Sequence, residues 1–162
     1  MATIYLGLGS NVEPEKNLSS AVQELRRHYG DLDASAVYRS AAVGFEGDDF
    51  LNLVVRIQSD ETAAAVAEEI ERLHDLSGRV RGGNKWVARP LDIDLLLYDD
   101  LVIDESGIRV PRSDVLEYSF VLRPMAELAP ELVHPTTGKK MVEHWQEFDE
   151  DSQPLELVGI ID

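Results

Sequence analysis

The order in which two kinds of apolar periodicity follow one another is the tightest constraint on how this chain folds. Thr3 to Gly9 alternates, with Ile4, Leu6 and Leu8 on one side, and predicts a strand opening into a Gly-rich turn at Gly7-Leu8-Gly9-Ser10-Asn11. From about Pro14 to Tyr29 the period changes to that of a helix, with Leu18, Ala21, Val22, Leu25 and Tyr29 on one stripe. Pro14 suits the first turn of that helix and Gly30 its stop. Ser35 to Ser40 reads as a short strand. Phe50 to Gln58 reads as a strong one, turning Leu51, Leu53, Val55 and Ile57 to a core and leaving Phe50 and Asn52 together on the opposite face. A second helix, capped by Asp60 or Thr62, carries Ala63, Val66, Ala67, Ile70 and Leu73 and ends near Ser77-Gly78. Leu91 to Tyr98 is again a strand, and Val102 with Ile108 to Val110 makes a small hairpin around Glu105-Ser106-Gly107. A third helix is expected within Ser113 to Leu128, broken or kinked near Pro124. The order β, α, β, β, α, β is that of the split βαβ arrangement. The expected class is therefore α+β, a ferredoxin-like sandwich whose mostly antiparallel sheet has helices packed on it.

No repeat, low-complexity tract or linker divides the 162 residues, so one domain spanning 1–162 is expected, with 150–162 as a tail whose docking place the sequence does not fix. A net charge of −16 argues against nucleic acid as a partner, because a phosphate backbone would be repelled over most of the surface. The chain has no cysteine, and Met1 to Ser10 lacks a basic n-region and a long apolar run. These features lead us to expect a cytoplasmic monomer with no membrane association, acting on small molecules. Any anionic ligand then needs a local basic island.

Such an island exists. Gly78 to Pro90, GRVRGGNKWVARP, carries Arg79, Arg81, Lys85 and Arg89, and no acid occurs between Leu76 and Leu91. Arginines in a glycine-containing segment can take phosphate oxygens bidentately. The same charges would equally suit a solvated loop balancing the protein's own carboxylates. Trp86 in its middle favours a segment that covers a ligand. Directly afterwards comes Leu91-Asp92-Ile93-Asp94-Leu95-Leu96-Leu97. Strand alternation sends Leu91, Ile93, Leu95 and Leu97 to the core and projects Asp92 and Asp94 together from the other face, about 7 Å apart. Paired carboxylates so placed can hold a hard divalent cation, and Mg²⁺ uses one or two carboxylates plus waters and substrate phosphates. A lone D-x-D is commonly just two exposed strand acids; beside a basic segment it points to metal-assisted phosphate chemistry.

Other residues carry weaker signals. Gly7 to Asn11 is neither a dinucleotide fingerprint nor a Walker motif and reads as a tight turn. Phe50 and Phe120 are ordinary core residues on their own. Asn52 inside an apolar strand must find partners, and its donor and acceptor suit a heterocycle's edge. His28, His134 and His144 show no shared metal-ligand spacing.

The tokens Leu8-Gly9-Ser10-Asn11, Tyr38-Arg39, Phe50-Leu51-Asn52, Gly78-Arg79-Val80-Arg81, Trp86, Arg89-Pro90-Leu91-Asp92-Ile93-Asp94, Val110-Pro111 and Phe120-Val121-Leu122 occur in this order across residues 3 to about 135. Together they resemble the 6-hydroxymethyl-7,8-dihydropterin pyrophosphokinases of folate biosynthesis. That resemblance implies an ATP-dependent diphosphokinase with ATP as co-substrate. It implies two Mg²⁺ ions on Asp92 and Asp94, which with Arg79 and Arg89 form the catalytic set. ATP would be bound by Arg79, Arg81, Lys85, Arg89 and Arg112. The pterin would lie between Phe50 and Phe120, with Asn52 reading its edge, Trp86 over it, and Ser40 and Val43 as neighbours.

The chain departs from the family pattern in places. Ser40 and Ala41 stand where Thr and Pro are usual, and the loop from Gly44 to Asp49 is one residue short. His74 stands where many members have Glu, Arg112 where a nucleotide-contacting His is usual, and Tyr118 where an Arg is usual. His74, near a helix C-terminus, is expected to carry a proton and, with Arg112, to make up for the missing Arg at 118. Two other readings arise from the same residues: a different metal-dependent phosphotransferase on the same sheet, and a diverged paralogue that binds pterin or nucleotide without turnover.

Overall fold

A computed structural model describes residues 1–42, 47–77 and 90–161. Strand β1 (Ala2–Ser10) is followed by helix α1 (Pro14–Tyr29), short strands β2 (Asp33–Ala34) and β3 (Val37–Ser40), strand β4 (Phe50–Ser59), helix α2 (Ala63–Leu76) and strand β5 (Asp92–Tyr98). These build an antiparallel sheet in the order β5-β1-β4-β3, with β2 also on β4. That is the ferredoxin-like split βαβ order the sequence predicts. The hairpin β6 (Ile103–Glu105) and β7 (Ile108–Val110) turns at Ser106 and Gly107, both with positive φ. Helices α3 (Asp114–Glu117), α4 (Ser119–Leu128) and α5 (Met141–Glu147) precede a last strand β8 (Glu156–Gly159), which docks the tail on β3. No helix among the described residues is long and apolar enough to cross a membrane.

Strand alternation gives the sheet two faces, and each has its own core. Ile4, Leu6, Leu8, Leu51, Leu53, Val55, Ile57 and Ile93 meet the apolar stripes of α1 (Leu18, Val22, Leu25) and α2 (Val66, Ile70, Leu73). Thr62 starts α2, its hydroxyl accepting from the Ala65 amide at 3.1 Å. On the other face Tyr5, Val54, Leu96 and Leu97 pack on Val115 of α3, on Val121, Leu122 and Met125 of α4, and on Met141.

Four expectations need correction. Gly7 and Gly9 are not in a turn; both lie inside β1. Leu97 reaches the second core rather than the first, because a register shift opposite Tyr5 and Leu6 makes Leu96 an extra residue and reverses the facing of Leu97. The third helical region breaks at Tyr118, which is extended (φ −119, ψ 129), and Pro124 sits inside α4. The strand predicted at Ser35–Ser40 is shorter, Val37–Ser40 (β3), and a separate two-residue strand, β2, precedes it.

One histidine makes stability sensitive to acid. His134 is buried, and its Nδ1 accepts from the Thr136 amide at 3.2 Å. Burial, and then His144, holds its pKa below the ordinary 6.5. The unfolded ring takes up a proton that the folded ring refuses, so stability is full above pH 6.5 and falls on acidification through it. Denaturant titrations across this range should give a steeper acid loss for the wild type than for His134→Asn, whose Oδ1 accepts without titrating.

Candidate active site

On the second face a cavity of about 300 Å³ remains beside the first turn of α4. The sheet register builds its floor. Asp92 pairs with Gly9, Gly9 with Asn52, and Asn52 with Tyr38, so these residues form one row across β5, β1, β4 and β3. Asp94 and Gly7 form the next row on the same face, two residues along. Alternation therefore puts Asp92 and Asp94 on one face, as the sequence predicts, and both line the cavity. Over Gly7 lies the Leu96 side chain, 3.3 Å from where a Cβ would sit, and Gly9 faces Asn52 and Phe50. A Cβ on Gly9 would lie 3.3 Å from Asn52 Oδ1 and 3.7 Å from Phe50 Cδ1.

Phe50, Asn52, Ser40 and Phe120 line the same cavity, so all the described residues that the resemblance implies for a pterin converge there. Asn52 is 4 % exposed, and its Nδ2 donates to Tyr38 O at 3.1 Å and to Ser40 Oγ at 2.9 Å. Since a carbonyl only accepts, the Tyr38 contact fixes which end of the amide is NH₂. Both donors are thus spent within the protein, and only Oδ1 remains for a ligand. The expectation that Asn52 offers a donor as well is corrected. Tyr38 is itself held to α4: its hydroxyl donates to Glu127, and Arg123 lies 4.7 Å above its ring. Burial, and then Glu127, push that phenol up to about 12, so it stays protonated.

Arg112 enters the cavity from beyond β7. Its amide donates to Leu96 O at 2.9 Å, the carbonyl of the extra residue in β5, so the bulge also anchors this arginine. The guanidinium lies 3.5 Å from Asp94 Oδ1 and 3.3 Å from Asp114 Oδ2. Burial works against its charge, yet Asp94, Asp114 and Asp92 together hold it more firmly protonated than usual. Asp114 and Tyr118, the latter stacked on Phe120 at 5.0 Å, also line the cavity. Sequence reading assigned neither of them to a ligand. Asp114 carried a signal in its place two residues after Arg112. Arg79, Arg81, Lys85, Trp86, Arg89 and Val43 lie outside the described residues.

His74 contradicts its expected role as a cation. Its Nε2 receives the Ile93 amide hydrogen at 2.9 Å, and a nitrogen that accepts an N–H carries no proton. Nδ1 faces Glu71 Oε1 at 3.3 Å. As for the remaining histidines, no group of three or more His, Asp or Glu side chains arranged to hold a metal occurs among the described residues.

The donor set suits a hard cation that brings its own ligands. Asp92 and Asp94 supply two carboxylates, which fits Mg²⁺ completing its shell with water and phosphate.

Known proteins share this architecture. Two crystal structures of Plasmodium falciparum HPPK-DHPS superpose with TM-scores of 0.71 and 0.73 at 11% and 12% identity, covering 90% and 91% of this chain and 44% and 43% of those chains. At that identity they speak for the fold alone, and this chain spans less than half of theirs. Closer in sequence are two proteins named 2-amino-4-hydroxy-6-hydroxymethyldihydropteridine pyrophosphokinase. The one from Aquifex aeolicus is 34% identical, covering 88% of this chain and 90% of its own length. The one from Methylorubrum extorquens is 36% identical, covering 82% and 86%. The family model for 7,8-dihydro-6-hydroxymethylpterin-pyrophosphokinase matches residues 5–130. With the fold, the cavity and these matches in agreement, the chain belongs to that pyrophosphokinase family and is an enzyme of folate biosynthesis.

Proposed function

We propose that this enzyme transfers the β,γ-diphosphate of ATP to the hydroxymethyl oxygen of 6-hydroxymethyl-7,8-dihydropterin, releasing AMP, with Mg²⁺ held by Asp92 and Asp94. The observation that carries the reading is the row Asp92, Gly9, Asn52 across three strands. Two strand spacings separate its ends by about 10 Å, roughly the length of a bicyclic pterin with its hydroxymethyl arm. Asn52 Oδ1 reads an N–H on the far edge of the ring, Phe50 and Phe120 flank its faces, and Ser40 holds Asn52 in place. The reactive arm then points toward the aspartates. Bound there, Mg²⁺ supplies charge neutralisation of the transferring phosphates.

The protein's own part is alignment. The hydroxymethyl oxygen forms a bond to the β-phosphorus, its proton passes to solvent, and the bond from that phosphorus to the α-phosphate oxygen breaks as AMP leaves. Arg112 takes a phosphate oxygen. On sequence grounds Arg79, Arg81, Lys85 and Arg89 take others, Trp86 covers the pterin, and Val43 contributes backbone. We read the protein as a cytoplasmic, single-domain monomer that binds no nucleic acid, in keeping with its charge of −16. Incubation with ATP and Mg²⁺, with and without the pterin alcohol, tests the reading. Pterin-dependent AMP is expected, and pterin binding without AMP would instead establish the non-catalytic reading.

Asn52→Ala should weaken pterin binding by about 1–3 kcal/mol while leaving ATP binding nearly unchanged, because the ligand's N–H loses its acceptor. Calorimetry with each ligand separates the two effects. Equal losses for both would mean a damaged fold rather than a specific pocket.

A further inference from the structure

We infer that His74 is a positioning residue for the aspartate pair, acting through the Ile93 peptide; its effect on turnover rests on the function proposed above. β5 is the outermost strand on its side of the sheet, with β1 as its neighbour among the described residues. An amide pointing away from β1 has no partner within that sheet. The amide of Ile93 is one of these, and the buried imidazole of His74 supplies its acceptor at 2.9 Å. Ile93 stands between Asp92 and Asp94, so holding its peptide fixes the backbone on both sides and the face to which both carboxylates point. His74 is itself held at the end of α2. Leu73 beside it is buried in the first core, Nδ1 lies 3.3 Å from Glu71 Oε1, and the Ser77 hydroxyl donates to the His74 carbonyl at 2.7 Å. The bond thus ties α2 to the aspartate strand. A second tie fixes the start of that strand, where the Ser10 hydroxyl donates to Pro90 O at 2.6 Å.

The chemistry required at position 74 is a single neutral or anionic acceptor at the reach of Nε2. Glutamine places Oε1 at that reach, and leucine has similar bulk with no acceptor. In the wild type, nitrogen-15 spectra should show a proton-free His74 Nε2, and the Ile93 amide should exchange slowly with solvent. His74→Leu should accelerate that exchange, weaken Mn²⁺ binding measured by electron paramagnetic resonance, and lower kcat for AMP release about tenfold to a hundredfold with little change in the KM for the pterin. His74→Gln should restore all three. A protonated Nε2 in the wild type overturns the inference, and this test survives even if the leucine variant does not fold. So does a folded leucine variant with unchanged Ile93 exchange or unchanged Mn²⁺ affinity, or a glutamine variant that rescues none of the losses. If the wild type releases no AMP, the proposed reaction fails, while amide exchange and Mn²⁺ affinity still decide the role of His74.

Discussion

Replacing Asp94 with alanine will reduce pterin-dependent AMP release to background while leaving the fold intact. The carboxylate sits in the cavity beside Asp92, and its ion pair with Arg112 is long, at 3.5 Å, between side chains that are 30% and 40% exposed. Partly solvated pairs of this kind contribute about 0–1 kcal/mol. For a chain of this size, losing that pair amounts to a change in Tm of about 2–4 °C. The loss of activity has a different origin. With one of its two carboxylates gone, the site can no longer hold a divalent cation against water and phosphate, and the transferring group loses its principal counter-charge. Asp92→Ala should behave in the same way. Activity assays with thermal melts on the same preparations decide the matter. A variant that turns over normally removes Asp94 from the metal site, and one that melts far below the wild type reassigns it to structure.

Arg112→Ala should weaken ATP binding by about 1.5–3 kcal/mol, the usual worth of a hydrogen bond to a charged group. Arg112 is the cation among the described residues that line the cavity, and without nucleotide it rests between Asp94 and Asp114. Binding then involves an exchange in which Arg112 leaves a carboxylate for a phosphate. Because the fork of the guanidinium matches either partner, this exchange carries little electrostatic penalty. His74 cannot share the task, since its accepting Nε2 leaves the ring neutral. The positive charge expected from two substitutions therefore falls on one. Titration calorimetry with MgATP checks this, and Arg112→Lys should recover only part of the affinity. Unchanged ATP binding in Arg112→Ala would leave Arg112 as a partner of the aspartates alone.

The parts of the site legible in the sequence were those that strand alternation fixes. Asp92 and Asp94 had to share a face, as did Phe50 and Asn52, and a period of two allows no other outcome while the ladder is regular. The irregular features were not legible. The extra residue at Leu96 answers to a mismatch between β1 and β5 that neither strand reveals alone, and with it came the anchoring of Arg112. Gly7 and Gly9 read as a turn because glycine pairs usually punctuate chains, whereas here strands on both sides hold them extended. Asn52 was recognisable as a buried amide in need of partners. Which of its atoms faces the cavity depended on Tyr38 and Ser40 of a neighbouring strand. β8 is exposed along its whole length, so burial left no pattern on it to read.

The glycines at positions 7 and 9 of the cavity floor also bear on engineering. Glycine within a strand sacrifices side-chain packing and about 0.5–1 kcal/mol of backbone entropy relative to alanine. Both glycines lie in β1, paired with a strand on either side, where such a loss is most easily tolerated. A search for more thermostable variants guided by strand propensity alone will be drawn to these two positions, although at Gly7 a Cβ would already crowd Leu96 at 3.3 Å. At Gly9 the added atoms would crowd Asn52 Oδ1 at 3.3 Å and meet Phe50 at ordinary contact distance, so any gain in melting temperature would come from filling the space a substrate needs.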